Sequence, residues 1–372
     1  MSDTTVASAN SIQKWADDHF VEYTRMNPLN DLAGTSDNDI IQVKEDLTKT
    51  KGTIITFQLV GRLSGSGVTN DAQLENNEEL LDNAGLAVTV NQLRNGVRRG
   101  EYEQQKTNID ILKDGKTVLR MWSADQQRDL WIARLFSPNT DGLTTYNDAT
   151  EAQKDAWETA NNPTDDNQRI LFGAAKSNST LDHSAGLTEI DGTADDLHPD
   201  IVSLAKRLAK TCDPHIRPHK IKDGGEEWFV MLAGSIAFRD LQANMSTIHQ
   251  NAAPRSMDEN PLFRDRDLVY DGVIIKEIPE MSRVHTSGGT MIQNVGASGT
   301  TEVEGVFLCG AQAVCHAIAK RPAVRTDDFD YGNLSGVAIT ETRGARKSSF
   351  GLAGATAVQH GVVTCYVSAV GD

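Results

Sequence analysis

Cysteine, cationic charge and long apolar runs are all scarce in this sequence. Its 372 residues include 4 cysteines, at Cys212, Cys309, Cys315 and Cys365. They are too scattered to frame a disulfide-stapled fold and read as buried thiols. No apolar window approaches ~20 residues, so no membrane-spanning helix is expected. The opening MSDTTVASANSIQKW lacks the apolar core of a secretory signal, so a product made and kept in a cytosolic compartment is expected. Lys and Arg number 36 against 52 Asp and Glu, a net charge of −16. Such a surface repels phosphate backbones at long range, which argues against a dedicated nucleic-acid binder and leaves only weak packing against DNA. Hydrophobic residues make up 38%, below the usual globular share, so loops, arms and extended segments should be abundant. Internal repeats and heptad runs are absent as well.

What is present begins with a polar stretch of about fifty residues whose apolar anchors, Trp15, Phe20 and Tyr23, stand isolated. It cannot bury enough surface alone and reads as an arm lying on something else. KGTIITFQLVGRL, from Lys51 to Leu63, alternates β-branched and polar residues and predicts a strand. A Gly, Asn and Asp-rich stretch follows, and LAVTVNQL, Leu86 to Leu93, predicts the returning strand of a long projecting hairpin. Ile109, Leu112, Leu119, Trp122, Leu130 and Ala133 keep helical spacing, predicting a helix from Glu101 to Phe136 about 50 Å long, with a break near Asp114–Gly115 as the fallback. Residues 139–195 are polar and turn-rich and read as surface elaboration rather than core. HPDIVSLAKRLAK predicts an amphipathic helix with Pro199 in its first turn and Ile201, Leu204, Ala205 and Leu208 on its apolar face. EEWFVMLAGSIAFRDL pairs a buried strand with a short helix, and LVYDGVIIKEI is a turn-centred strand. VEGVFLCGAQAVCHAIAK reads as a strand running into a helix, and AVQHGVVTCYVSAV as a final strand. Mixed elements without a βαβ rhythm favour an α+β fold.

Candidate chemistry is sparse. Cys212, His215 and His219 in CDPHIRPH have ligand-like spacing for zinc, but Pro214 and Pro218 extend the segment and no second pair lies nearby. A structural turn is the expected reading and a metal site its rival. Asp182, His183 and Ser184 offer the residue types of a catalytic triad, but such relays assemble from separate elements, and no G-x-S-x-G elbow occurs. Gly61, Gly65 and Gly67 only loosely resemble a phosphate loop, because no Lys-Ser or Lys-Thr follows. Glu75, Glu78, Glu79 and Asp82 lack calcium-loop spacing and read as a solvated acidic tip. Arg94, Arg98 and Arg99 are the candidate basic partners of that tip across a subunit boundary, and Trp15 and Phe20 are further inter-subunit contacts. No catalytic, cofactor-binding or metal-binding residue is assigned.

A resemblance extends this reading. ITFQLVGRLSGSGVTNDAQLENNEELL, NQLRNGV, IRPHKI, EEWFVML, AFRDL, ENPLFRDRDLVYDGVIIKE, GVFLCGAQAV, DDFDYGNLSGVAI and ARKSSFG occur in family order. This ordered set resembles the major capsid proteins of short-tailed bacteriophages, within the HK97-like capsid fold. The resemblance implies an N-terminal arm at 1–52 and an extended β-hairpin loop at 53–100. It implies a peripheral domain with a long spine helix at 101–140 and 336–372, and an axial domain at 141–335 with an insertion near 139–180. It further implies a non-enzymatic subunit that self-assembles, as hexamers and pentamers, into an icosahedral shell enclosing double-stranded DNA. Its partners would be other copies, a portal protein, scaffolding and decoration proteins, and packaged DNA held weakly, with no membrane and no cofactor. It would be assembled in the host bacterial cytoplasm and reside in the virion. LAGSIAFRDL departs from the family's more polar turn, no built-in N-terminal scaffolding segment is seen, and nothing identifies a Lys–Asn crosslinking pair. An encapsulin-like cargo compartment and, more remotely, a metal-dependent enzyme centred on Cys212 are the alternatives.

Overall fold

The computed structural model describes residues 27–45, 47, 51–63, 65–71, 73–107, 109–138, 144–220, 227–245, 268–281, 295–299, 301–352 and 354–369. These divide into two compact units. The larger draws on 28–91, 127–320 and 343–372, and the smaller on 92–126 and 321–342.

The first elements are β1 (Ala33–Gly34) and β2 (Ile41–Lys44), a parallel pair, then the antiparallel hairpin of β3 (Ile54–Val60) and β4 (Asn83–Thr89). The hairpin follows the pleat: Ile55, Phe57, Leu86 and Val88 are buried, and the alternating Thr56, Gln58, Ala87 and Thr89 are exposed. Only Val90 separates β4 from β5 (Asn91–Gly100), so the single returning strand expected over Leu86–Leu93 is two. The chain changes partners there, since β4 pairs with β3 whereas β5 neighbours β13 (Leu334–Lys347).

Two helices follow, α1 (Glu101–Gln105) and α2 (Ile111–Phe136). The break in the expected helix thus falls at residues 106–110, not at Asp114–Gly115. There the Gln104 side chain donates to the Ile109 carbonyl at 2.8 Å, and Asp110 accepts from the Lys113 amide at 3.2 Å to start the second helix. Gly115 stays helical because it is a close-packing point: an added Cβ would lie 3.3 Å from Val337 and 3.6 Å from Val97.

In the smaller unit, β5 neighbours β13, and β13 neighbours β12 (Val314–Phe329). Leu119 of α2 packs with Val337 and Ile339 in its core, with Val97, Leu112, Trp122 and Val324 around them. The buried Ser123 hydroxyl donates to Glu341 at 2.9 Å.

The larger unit adds α3 (Glu151–Asn161), β6 (Ile170–Phe172), α4 (His183–Thr188), α5 (Pro199–Thr211), β7 (His219–Lys220) and β8 (Glu227–Ala233). Then come α6 (Ser235–Asn244), β9 (Leu268–Tyr270), β10 (Val273–Glu277), β11 (Val303–Cys309), β14 (Ser349–Phe350), β15 (Val358–Gln359) and β16 (Val362–Ser368). Its main sheet runs β6-β16-β11-β8-β10-β9, with β7 beside β8. Every residue of β11 and β16 is buried, as strands covered on both faces require. Ile201, Ala205 and Leu208 of α5 and Phe238 and Leu241 of α6 cover one face, meeting Met231, Leu308 and Cys365. Trp131 and Phe136 of α2, Trp157 of α3 and Leu187 of α4 cover the other, meeting Leu232, Phe307 and Tyr366.

Two further expectations are corrected. Residues 144–195 are not mere surface elaboration, since Trp157, Ile170, Leu171, Phe172, Leu187 and Ile190 are buried in the core. The polarity that hid them serves the interior: the Asn162 side chain accepts from the Arg169 and Ile170 amides and donates to the Ile170 carbonyl and Ser179. The second correction concerns AVCHAIAK, which forms the start of β12 and not a helix. Val314–Ala317 pair in parallel with Ile41–Lys44, and that pairing outweighs the alanine-rich helical propensity.

Candidate assembly surface

The hairpin is anchored at its base and free at its end. Ile55 pairs with Val88, Phe57 with Leu86 and Leu59 with Ala84. This inner side packs on Cys315 and Ala317 of β12 and on Phe350. Beyond Val60 the chain makes a long excursion over residues 61–82 in which Leu63, Leu74, Leu80 and Leu81 are 59, 60, 92 and 63% exposed. These four are the most exposed of the described leucines.

The predicted acidic residues lie on this same loop. Glu75, Glu78 and Glu79 are exposed and Asp82 is half-buried. Glu79 is held in the loop by the Gly65 amide, which donates to its Oε2 at 2.8 Å, and Glu75 accepts from the Gln73 amide group at 2.9 Å. Gly61 donates its amide to the Asp82 carbonyl at 2.8 Å, extending the ladder by one rung. The predicted basic set, Arg94, Arg98 and Arg99, lies on β5, with Arg94 and Arg98 exposed and Arg99 half-buried. Those arginines belong to the smaller unit and the acidic loop to the larger. Trp15 and Phe20 lie outside the described residues.

Near the loop's root, Arg62 pairs with Asp213 at 2.5 Å, both side chains well exposed. A cleft of about 640 Å³ opens beside this pair, lined by Leu59, Arg62, His215, Arg217, Phe350 and His360 among others.

The metal-like and triad-like sets are both explained by local structure. Cys212 caps α5 and is fully buried. The His215 Nδ1 lies 2.6 Å from the Cys212 carbonyl, and the His219 Nδ1 lies 2.7 Å from the Asn38 carbonyl. These three face different backbone partners, and no metal-holding group of three or more His, Cys, Asp or Glu occurs among the described residues. Asp182 caps α4, accepting from the Ala185 amide at 3.1 Å and the Ser184 hydroxyl at 2.8 Å. His183 turns inward instead, with Nε2 2.7 Å from the Tyr146 hydroxyl and Nδ1 3.8 Å from Glu158.

That inward histidine sits among Trp157, Phe172 and Tyr366. Burial holds its pKa down to about 3 and pushes the Glu158 carboxyl up. Lys347 lies close by, its ammonium 4.9 Å above the Trp157 ring, with burial pulling its pKa to about 7. A fully buried set of this kind cannot meet an outside substrate, and it specifies the core. Sequence reasoning set His183 aside for its neighbours. Its real partners, 37 and 25 residues away along the chain, were not readable from spacing.

One exposed feature was also missed. β12 and β13 are joined through Asp330 and Tyr331, both in the left-handed region at φ 51° and 54°, followed by Gly332 at φ 91°. Tyr331 is completely exposed and Phe329 is 48% exposed, beside Asp327 and Asp328. The Asp and Gly of FDYGN signal a turn, but nothing in the sequence says that the tyrosine stands clear of the body.

Comparison with known proteins aligns the whole chain with one group. The model of a family described as phage capsid protein matches residues 3–370. The major capsid protein of Pseudomonas phage KPP25 is 26% identical over 329 residues, covering 87% of this chain and 85% of that one. Among solved structures, the capsid of Cyanophage Pam1 matches with a TM-score of 0.87 at 32% identity, covering 100% of both chains. The capsid of Ralstonia phage GP4 shares the fold, with a TM-score of 0.72 at 19% identity over 100% of this chain and 99% of that one.

Proposed function

Because this chain belongs to the phage capsid protein family, a shell-forming component of a tailed-phage virion with an HK97-like α+β fold, we propose that it works by surface complementarity alone. In this reading residues 61–82 are a latch that lies across an adjacent copy. The observation that carries it is the contrast between a hairpin stem anchored by Phe57 and Leu86 and a loop that leaves Leu63, Leu74, Leu80 and Leu81 in water. Burying one leucine is worth about 1.5–3 kcal/mol, so an adjoining surface that covered the loop would gain substantially. Glu75, Glu78, Glu79 and Asp82 would then face Arg94, Arg98 and Arg99 of the neighbour, fixing orientation more than affinity. Trp15 and Phe20 would contribute from the arm at 1–52.

The hairpin serves as the extended loop of the fold. Residues 101–140 and 336–372 serve as the peripheral domain, with α2 as its long spine helix, and 141–335 as the axial domain. The shell is icosahedral, built of hexamers and pentamers around double-stranded DNA and assembled in the host cytoplasm. A portal protein joins it, and scaffolding and decoration proteins are further partners. No catalytic step belongs to it, in keeping with the local structural roles of Cys212, His215, His219 and Asp182.

Electron cryomicroscopy of particles formed by the full chain tests this. Closed icosahedral shells with residues 61–82 lying on an adjacent copy are expected. A chain that stays monomeric across salt, pH and added scaffold would sink the proposal, and particles filled with an enzyme rather than DNA would identify a cargo compartment instead.

A further inference from the structure

We infer that the exposed row Lys113, Lys116 and Arg120 on α2 is the surface that meets the phosphate backbone of packaged duplex DNA; this rests on the shell reading above. In the smaller unit, α2 buries Gly115, Leu119 and Ser123, spaced by four, against the strands. The opposite side of the helix exposes Lys113, Lys116, Thr117, Arg120 and Ala124, and none of these is acidic. Asp114 and Asp125 sit half-buried on the flanks, each with a partner of its own. The side chains of Lys113, Lys116 and Arg120 make no hydrogen bond or ion pair among the described residues. These three cations stand in line on a chain of net charge −16, with the exposed Asp110 at the N-terminal end of the row.

The row spans about 10 Å, since seven residues rise 1.5 Å each. Duplex DNA carries about six charges over that length, at one per ~1.7 Å of axis. A shell of acidic subunits packed around a polyanion must turn its least negative face inward, because charges closer than the ~10 Å Debye length are poorly screened. The chemistry of the row also fits phosphate better than protein. Interface cores are depleted in lysine and enriched in aromatic residues, and among the described residues of α2 the only exposed large apolar side chain is Val118, at 45%. Mobile ammonium groups suit a sliding, hydrated polyanion without fixed register.

The test is reductive methylation of lysines in genome-filled particles and in the same particles after emptying, quantified residue by residue by mass spectrometry. Lys113 and Lys116 should be modified several-fold less in filled than in emptied particles, relative to the mean of the other lysines. Equal modification in both states overturns the inference. Poor modification in both also overturns it, because a neighbouring copy then covers the row. If no particles form, the shell reading itself has failed. As a second reading, filled particles of K113Q/K116Q/R120Q should lose DNA at a lower temperature than native ones, and K113R/K116R/R120K particles should not. An unchanged release temperature in the neutral variant counts against the proposal.

Discussion

Gly344 marks a point where two strands of the larger unit pass too closely for a side chain: a Cβ there would come within 2.0 Å of the Thr89 carbonyl oxygen. The obstacle is backbone and cannot swing aside. Gly344→Ala should therefore cost about 1–3 kcal/mol, read as a lower urea midpoint with an unchanged slope. Gly305 is crowded by a side chain instead, the buried Phe136 ring, which would lie 2.4 Å from an added Cβ. The buried histidine gives a prediction of a different kind. His183 titrates near 3 in the folded chain and near 6.5 unfolded, so the folded state binds fewer protons between those values. Its contribution is intact above about pH 6.5 and is lost as pH falls toward 3. His316, which accepts from the Trp131 indole at 3.2 Å, is held down to about 3 by burial and acts in the same direction. Glu158 has the opposite sign: its raised carboxyl weakens the fold as pH rises. His183→Gln should flatten the acid limb of a plot of urea midpoint against pH, whereas curves that stay parallel to native would rule out this source.

Among elements, the hairpin separates stem from function most clearly. Deleting residues 70–82 should leave the thermal unfolding of the subunit near native, because Ile55, Phe57, Leu86 and Val88 keep their partners. Closed shells should then fail to form or to persist, as seen by negative stain, and fully stable particles would exclude a latch. The Arg62–Asp213 pair at the root is mostly exposed, so Arg62→Ala should change subunit stability by less than about 1 kcal/mol. Several elements legible in sequence share a periodicity with one wet side. β3 and β4 alternate, α5 shows its stripe of Ile201, Ala205 and Leu208, and β9 and β10 are joined at the Asp271–Gly272 turn. Elements covered on all sides lose that signal, and β8, β11 and β16 were legible only as short runs rich in valine and aromatic residues. The start of β12 is buried throughout, so its Ala-rich run cannot be assigned to strand or helix without knowing that β2 lies alongside. α3 through α4 failed for the converse reason, since Asn162, Glu158 and His183 there are turned inward onto backbone groups, Ser179 and Tyr146. For the candidate surface, acidic loop and basic strand were both legible as charges. The four exposed leucines were not, because exposure is a tertiary property.

At the scale of the molecule, a charge of −16 sets every copy against every other. Local attractions between acidic loop and arginine strand must overcome a repulsion that salt weakens. Raising salt from about 0.01 M to 1 M shortens the Debye length from ~30 to ~3 Å, and should increase shell yield measured by light scattering. A falling yield would show that the ion pairs, not the repulsion, dominate. The sheet order of the larger unit has a consequence in time. β16 lies between β6 and β11 and supplies both with hydrogen bonds, yet it is made after either of them. A nascent chain still lacking Val362–Ser368 leaves β6 cut off from the strands β11-β8-β10-β9, and α5 without the part of its support that β16 supplies. Closure of this sheet therefore waits for its last strand in chain order, and a subunit cannot present a finished body to its neighbours before Val362–Ser368 has been made.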